Sequence, residues 1–194
     1  MIPLPNKKYK IIYADPPWSY QDKGCNGNCE SHYKTLSIKD LCSLPIKNIT
    51  DENCVLFLWT TYPILKEALQ LIEAWGFKYK SIAFQWVKKN KKGIGWFFGL
   101  GKWTRGNTEP CLIAVKGKPT RVSKSVFQII ESPIRGHSRK PDETYNLIER
   151  LMGKLPRIEL FARTKMEGWD SWGDEVPTEQ QNKLTGMSSE ELKE

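Results

Sequence analysis

The residues Asp15-Pro16-Pro17-Trp18 carry the clearest chemistry in this chain, because they place a carboxylate and an indole ring at the end of an apolar run. That run, residues 11–14, predicts a buried strand, and the prolines end it because proline cannot donate to a strand ladder. We expect Asp15 to project from the strand end beside main-chain carbonyls for which no neighbouring N–H competes. Such acceptors suit a flat substrate with an exocyclic amine, such as adenine. The alternative is a capping aspartate in a Pro-Pro turn with a packing tryptophan.

Strands and helices alternate along the rest of the chain. Apolar runs predict further strands at residues 54–59, 79–87, 110–115, 126–130 and 157–163. Helices are predicted from a Ser37 cap through Leu44, from Thr60 to a C-cap at Gly76, and from Pro141 to Met152. This order predicts one α/β domain over residues 1–176, with a mostly parallel sheet, helices on both faces and a site at the carboxyl ends of the strands. Residues 177–194 are expected to form a polar, flexible tail.

The composition is that of an ordinary globular domain with a basic surface. The chain has 194 residues, of which 39% are hydrophobic and 27% charged, and its net charge is +8. A domain this basic suggests a polyanionic partner, and nucleic acid is the obvious candidate. No apolar run approaches the roughly 20 residues of a membrane span, and the N-terminus lacks a signal-peptide pattern. The five cysteines show no paired ligand spacing, so we expect reduced thiols, no metal site and an intracellular protein.

Two features follow the predicted strand at 79–87. The segment 88–92 contains Lys88, Lys89, Lys91 and Lys92, which are either a solvated turn or phosphate contacts. Residues 97–101 then read F-x-G-x-G, the form that the cofactor loop takes in many methyltransferases. A cofactor-binding glycine turn should directly follow a strand and open a helix, and residues 102–107 are no helix start. We therefore interpret this segment as an aromatic loop of a nucleic-acid surface, where bases can stack on rings.

A series of further motifs extends from residue 10 to about residue 176. They are DPPWSY at 15–20, VLFLW at 55–59, WTR at 103–105, NTE at 107–109, CL at 111–112, HSRKPDE at 137–143, IELFAR at 158–163, GWD at 168–170 and WG at 172–173. In this order they resemble the MT-A70 family of adenine-N6 methyltransferases, most closely its prokaryotic and phage branch. The resemblance implies a Rossmann-like domain, S-adenosylmethionine (SAM) as the cofactor, no metal, and a bacterial cytoplasm, or a host cytoplasm for a phage protein.

The resemblance also implies roles for individual residues. Asp15 and the Pro16 carbonyl, with Pro17 behind them, match the positions that hold the target amine, and Trp18 matches an aromatic position around the target base. Further candidates at the base are Tyr20, Tyr33 and His137. The candidates for binding SAM are Asp15, Lys140, Glu159, Phe161, Arg163, Trp172, Gly173, Asp174, where the family usually has asparagine, and Glu175. The candidate nucleic-acid contacts are Lys88, Lys89, Lys91, Lys92, Arg105, Arg135 and Arg139.

The implied reaction is methyl transfer from SAM to the amine of a flipped-out adenine in DNA. Acceptors at both N–H bonds would stabilise positive charge on the nitrogen, and holding the reactants together would contribute ~7 kcal/mol or more. The same chemistry on RNA is an alternative. A third interpretation, a catalytically silent nucleic-acid-binding subunit, is disfavoured because the motif keeps Asp15. A homodimer and a partner subunit both stay open.

Overall fold

The structure is a computed structural model that describes residues 2–19, 35–101, 103–136 and 138–174. Within these residues the strands are β1 (Tyr9–Ala14), β2 (Thr50–Trp59), β3 (Lys78–Lys89), β4 (Thr108–Lys116), β5 (Ile129–Pro133), β6 (Arg157–Leu160) and β7 (Asp170–Trp172). The helices are α1 (Ile38–Ser43), α2 (Leu65–Ala74) and α3 (Glu143–Met152), with short 3₁₀ turns at Ile46–Asn48 and Tyr62–Ile64. The predicted tail lies outside the described residues.

The strands form a mostly parallel sheet, as predicted, in the order β5-β3-β4-β2-β1-β6-β7. β1 pairs in parallel with β2 and β6, β6 with β7, and β3 with β5. β4 runs antiparallel to its neighbours β2 and β3. The carboxyl ends of the six other strands therefore lie at one edge of the sheet, where β4 begins. We call this edge the carboxyl edge.

The sheet is buried on both faces, which explains why β2 reads as an uninterrupted apolar run. Cys54, Leu56 and Leu58 pack on one face with side chains of α1 and α2, including Leu41, Leu71 and Ile72. Val55, Phe57 and Trp59 pack on the other face with Ile148 and Met152 of α3. The helices cover opposite faces of the sheet, as the alternation of elements predicted.

The predicted helices form close to their predicted positions. The Ser37 side chain accepts a hydrogen bond from the Asp40 amide and caps α1, and Gly76, with φ +84°, ends α2 in the left-handed conformation that favours glycine. Gly153, with φ +82° and ψ 171°, ends α3 in a different backbone conformation that also favours glycine. None of the helices in the described ranges is long and apolar enough to cross a membrane.

Several strand boundaries differ from the prediction. Lys88 and Lys89 belong to β3 rather than to a loop, because they pair with the last residues of β5. The strand expected at 126–130 lies at Ile129–Pro133, and β7, which pairs only with β6 among the described strands, was not predicted. The strand expected at 157–163 ends at Leu160, because Phe161 turns the chain with φ +62°.

Candidate active site

The sheet has a switch point between β1 and β6. From β1 the chain crosses to β2 on one side, whereas β6 leads to β7 on the other side. In open α/β sheets, ligands bind in the crevice at such a point, outside the carboxyl ends of the strands. Asp15 follows β1 and Phe161 follows β6, so the candidate catalytic and cofactor residues meet at this crevice.

Asp15 begins a tight turn that leaves β1. The Trp18 amide donates to the Pro16 carbonyl at 2.8 Å, and the Leu36 amide donates to the Pro17 carbonyl at 2.9 Å. The expectation that no neighbouring N–H competes for these carbonyls is therefore wrong, because the chain turns back within two residues and brings its own amide to the Pro16 oxygen. A carbonyl oxygen has two lone pairs, so the Pro16 oxygen retains one for a ligand.

Trp18 fastens this turn to the end of β2. The side chain is only 8% exposed, and its indole N–H donates to the Trp59 carbonyl at 3.2 Å. A β-bridge to Leu36 holds the backbone of Trp18 as well. The structure thus shows an anchoring contact, and the role of Trp18 at a target base stays a prediction. The other proposed base contacts, Tyr20, Tyr33 and His137, and the proposed cofactor residue Glu175, lie outside the described residues.

A chain of four alternating charges runs from Asp15 into the protein. Lys140 Nζ donates to Asp15 Oδ2 at 2.7 Å and to Glu109 Oε1 at 3.1 Å, and Lys88 Nζ lies 2.6 Å from Glu109 Oε2. Lys140 and Glu109, the two central members, have side chains that are only 10% and 9% exposed. Two lysines face two carboxylates, so this charge cluster is neutral as a whole, which is what burial of charges requires.

The charge cluster sets the protonation of its members. Burial alone would lower the pKa of Lys140, but the charges of Asp15 and Glu109 outweigh it and raise that pKa above its ordinary value. Burial likewise opposes ionisation of Glu109, yet Lys140 and Lys88 together hold the pKa of Glu109 below its usual value. Burial raises the pKa of Asp15, and Lys140 and Arg163 oppose that rise. Within the described part of the chain, Asp15 Oδ1 has no hydrogen-bond partner, so it is the oxygen that can accept from a ligand.

Glu159 is a second carboxylate at the crevice, on β6 beside Tyr13 of β1. The Tyr145 hydroxyl, from α3, donates to Glu159 Oε2 at 2.9 Å. Burial raises the pKa of Glu159 to about 7; the hydrogen bond from Tyr145 opposes this rise, and the charges of Asp15 and Asp142 add to it. Glu159 therefore changes its charge near neutral pH.

Replacing Glu159 with glutamine is expected to raise the melting temperature at about pH 8 and to change it little at about pH 5. The folded-state pKa of about 7 lies above the ordinary 4.5, so the stability that this proton provides is complete below 4.5 and is lost as the pH rises to 7. Glutamine still accepts from Tyr145 but carries no charge, so the gain at high pH should be on the order of 2 kcal/mol. Thermal unfolding at both pH values measures it. An equal shift at the two pH values would contradict the assignment.

The turns after β6 and β7 touch backbone to backbone. The Ala162 amide donates to the Trp172 carbonyl at 3.0 Å, and the rings of Phe161 and Trp172 meet edge to face with centroids 5.4 Å apart. A side chain at Gly173 would overlap the Ala162 backbone. The close approach of the two turns therefore requires glycine at position 173. The hydrogen bond from Ala162 and the ring contact of Phe161 both join the left-handed Phe161 turn to Trp172.

The structure brings most of the candidate cofactor residues to the same edge of the sheet. Asp15 and Lys140 form an ion pair, and Arg163 is close enough for its charge to lower the pKa of Asp15. Glu159 is near enough to Asp15 for the two carboxyl groups to interact, and Asp174 is exposed just beyond β7. The role of each residue in cofactor binding stays a prediction.

Among the described residues, ion pairs within the protein engage four of the seven candidate nucleic-acid contacts. The pairs are Lys88–Glu109, Lys89–Glu131, Arg135–Asp142 and Arg139–Asp142. Arg135 also donates to the Lys140 carbonyl at 2.7 Å and so holds the segment that carries Lys140. Lys91, Lys92 and Arg105 are exposed. The last three are thus better suited than the paired residues to contact phosphates.

A cavity of about 330 Å³ opens beside the charge cluster. Lys88 and Glu109 line it from the cluster, and Trp86 and Phe97 contribute aromatic walls. The lining also includes the basic side chains of Lys91, Arg135 and Arg139, together with Ile134, Gly136 and Ser138. Its volume lies within the range of small-ligand sites, so the cavity can admit a planar ring next to Glu109.

Two residues of this site received no role from the sequence, Glu109 and Tyr145. Glu109 stands directly before the apolar run of β4, and a charged residue at such a place is a signal, because a charge in a sheet interior needs a partner. Tyr145 had only the pattern of an inward-facing helix residue. Its contact with Glu159 depends on how α3 packs over β6, and local sequence patterns do not determine that packing.

Known proteins resemble this chain over most of its length. The MT-A70 family model matches residues 9–175. The chain is 37% identical over 194 residues to the Type II methyltransferase M.MunI of Mycoplasma sp, which covers 90% of this chain and 80% of that protein. It is 31% identical over 173 residues to the human N(6)-adenosine-methyltransferase catalytic subunit METTL3, and 30% identical over 172 residues to an MT-A70-like N(6)-adenosine-methyltransferase of Arabidopsis thaliana. These two matches cover 87% of this chain but only 28% and 24% of the relatives.

The fold, the crevice at the switch point and the matched motifs together define a SAM-dependent methyltransferase. The chain belongs to the MT-A70 family.

Proposed function

We propose that this chain transfers a methyl group from SAM to the N6 amine of adenine in DNA. The observation that carries the proposal is the Asp15 carboxylate at the switch-point crevice, where Lys140 holds Oδ2 and none of the described residues donates to Oδ1, which can therefore accept from a substrate. The relatives named N(6)-adenosine-methyltransferases support N6 of adenine as the methyl acceptor. DNA is favoured because the bacterial Type II methyltransferase matches over most of both chains, whereas METTL3 matches over 28% of its own length.

Asp15 and Pro16 would activate the amine. The amino group of adenine is a weak nucleophile because its lone pair is delocalised into the ring. One N–H donated to Asp15 Oδ1, and the other to the remaining lone pair of the Pro16 carbonyl, would favour a pyramidal nitrogen and stabilise the positive charge that develops on it. SAM supplies a methyl group on a sulfonium, so the N–C bond forms as the S–C bond breaks. The methylated nitrogen, once it is cationic, releases one proton to solvent water, and Asp15 is assigned positioning and polarisation rather than the role of a base.

The donor set at the crevice fits SAM. Glu159 can accept from ribose hydroxyls, and Arg163 can bind the carboxylate of the methionine part. Lys140 has three N–H donors, which are used by Asp15, Glu109 and the Ser138 carbonyl. The contact with Ser138 is the longest, at 3.3 Å, so it is the one that a cofactor carboxylate would replace. The negative charge of Asp15 offsets the sulfonium.

The cavity beside the charge cluster would receive the extruded adenine. Its aromatic walls, Trp86 and Phe97, can contact the base, and its basic rim suits the flanking phosphates. Asp15 does not line the cavity itself, but Lys140 bridges Asp15 to Glu109, which does, so the amine of a base bound there would have to extend past Glu109 towards Asp15.

Methyl transfer from labelled SAM to unmethylated duplex DNA, single-stranded DNA and RNA, run in parallel, tests the proposal. We expect label in DNA, recovered as N6-methyladenine after digestion to nucleosides. Label in RNA alone would favour the activity that the human relative's name states and would refute the DNA assignment. Binding of nucleic acid without any transfer would instead identify a silent subunit.

A further inference from the structure

The second part of the loop between β3 and β4 forms a narrow projection, which we call the finger and define by its described residues, 96–101 and 103–107. Its two arms are tied to β3, since the Phe97 amide donates to the Lys88 carbonyl at 2.9 Å and the Lys88 amide donates to the Asn107 carbonyl at 2.8 Å. A side chain at Gly99 would overlap the backbone of Gly106, and one at Gly101 would overlap the carbonyl of Thr104. The glycines of the F-x-G-x-G pattern therefore let the two arms touch, with Trp103 at the tip.

The finger exposes large apolar side chains to solvent. Trp103 is 98% exposed and Leu100 87%, and Phe98 and Trp96 are also exposed. Exposed apolar clusters of this kind mark interaction sites. Cations accompany the rings, since Arg105 lies 4.3 Å from the centroid of Phe98 and Lys89 Nζ lies 4.9 Å from that of Trp96. Apolar surface flanked by positive charge fits a nucleic acid, which offers stacked bases and phosphates.

The finger begins and ends at the active site. It begins at Trp96, which bridges back to Lys89 at the end of β3, and it leads into β4 at the carboxyl edge, where Asp15 lies. Lys88 and Glu109, which flank its two ends, are members of the charge cluster that leads to Asp15. A duplex that presents an adenine to Asp15 would therefore meet the finger.

We propose that the finger inserts Trp103 into the duplex at the position that the target adenine leaves, and so holds the base outside the stack. This inference rests on the proposed function. Extrusion of a base loses stacking on both of its neighbours, and an inserted apolar or aromatic side chain restores part of that contact. The narrow shape of the finger suits entry into a groove, and its cations would contact the adjacent phosphates.

Single-turnover methylation by Trp103→Ala on two duplexes tests the inference. One duplex has the target adenine paired, and the other has it opposite an abasic site, where extrusion is already easy. We expect the variant to be about tenfold slower than wild type on the paired duplex and nearly unchanged on the other. Trp103→Phe should recover most of the rate. Fluorescence of 2-aminopurine at the target position should rise on binding of wild type and much less on binding of Trp103→Ala.

Phe127→Ala is the matched control, because Phe127 is likewise exposed, at 85%, but lies just before β5 and outside the finger. It should leave both rates unchanged. Equal slowing of Trp103→Ala on the two duplexes, or no slowing on either, would overturn the inference. So would a change from dimer to monomer in sedimentation, which would identify the finger as a contact between copies of this chain. If the wild-type protein methylates neither duplex, that result refutes the proposed function, and the proposed insertion, which rests on it, is refuted as well.

Discussion

Asp15→Asn is expected to lower kcat for methyl transfer by about a hundredfold to a thousandfold, while the affinity for SAM changes far less. Asparagine keeps the size of the side chain but removes the negative charge that would stabilise the developing cation on the amine. It also turns one of the two acceptor atoms into a donor, so the side chain can repel an N–H. Single-turnover transfer of labelled methyl and calorimetric titration with SAM measure the two effects separately.

The same substitution removes one of the two carboxylates that face Lys140, so a loss of folding must be distinguished from a loss of chemistry. Thermal unfolding of the variant, with and without SAM, does this. Asp51→Asn is a matched control, because Asp51 lies near the start of β2, at the edge opposite the site. It should keep wild-type activity. Full activity in Asp15→Asn would refute the role assigned to Asp15.

Glu109→Gln is expected to destabilise the protein by about 3 kcal/mol, because it leaves a buried charge without its partner. Glu109 lies between Lys140 and Lys88, so after the substitution Lys140 keeps only Asp15 and Lys88 loses its carboxylate partner. The charge cluster then carries a net positive charge in a buried place. Denaturant unfolding measures the change in free energy, and kcat should fall as well because Lys140 no longer has a fixed position beside Asp15.

The adjacent pair of Lys89 and Glu131 offers a close control. Its atoms lie 2.9 Å apart, but the Glu131 side chain is 49% exposed, against 9% for Glu109. Glu131→Gln should therefore cost only about 0–1 kcal/mol, as is usual for ion pairs in contact with water. Equal destabilisation by the two substitutions would mean that burial does not set the strength of the Glu109 contacts.

Local patterns were sufficient for much of the fold. The apolar runs predicted β1, β2, β3 and β4, and the caps predicted the three helices, because hydrogen bonding within a helix and burial of a strand depend on neighbouring residues. The strand predictions from these local patterns were least accurate at β5, which was misplaced, and at β7, which was not predicted. These strands are short, lie at the two edges of the sheet and bury little apolar surface, so their pairing is set by the strand beside them.

The glycine pattern at 97–101 shows how local and tertiary information combine. The sequence alone argued that it is no cofactor loop, since no helix start follows it, and among the described residues the next element in the structure is the strand β4. Its actual use, backbone contact between the two arms of the finger, could be seen only from the partner residues Thr104 and Gly106. For the basic residues the sequence was less informative. It suggested that Lys88, Arg135 and Arg139 contact phosphates, whereas in the structure each of them forms an ion pair with a carboxylate of the protein.

The sequence by itself determined that Asp15 stands at the end of a buried strand in a family of methyltransferases, because apolar periodicity and proline geometry act over a few residues. Only the tertiary structure decided what surrounds that carboxylate. Lys140, 125 residues further along the chain, pairs with it, Glu109 balances Lys140, and the chain's own amide occupies part of the Pro16 carbonyl. These contacts follow from the order of the strands in the sheet and from the charge balance of a buried site, and neither is written in the spacing of nearby residues.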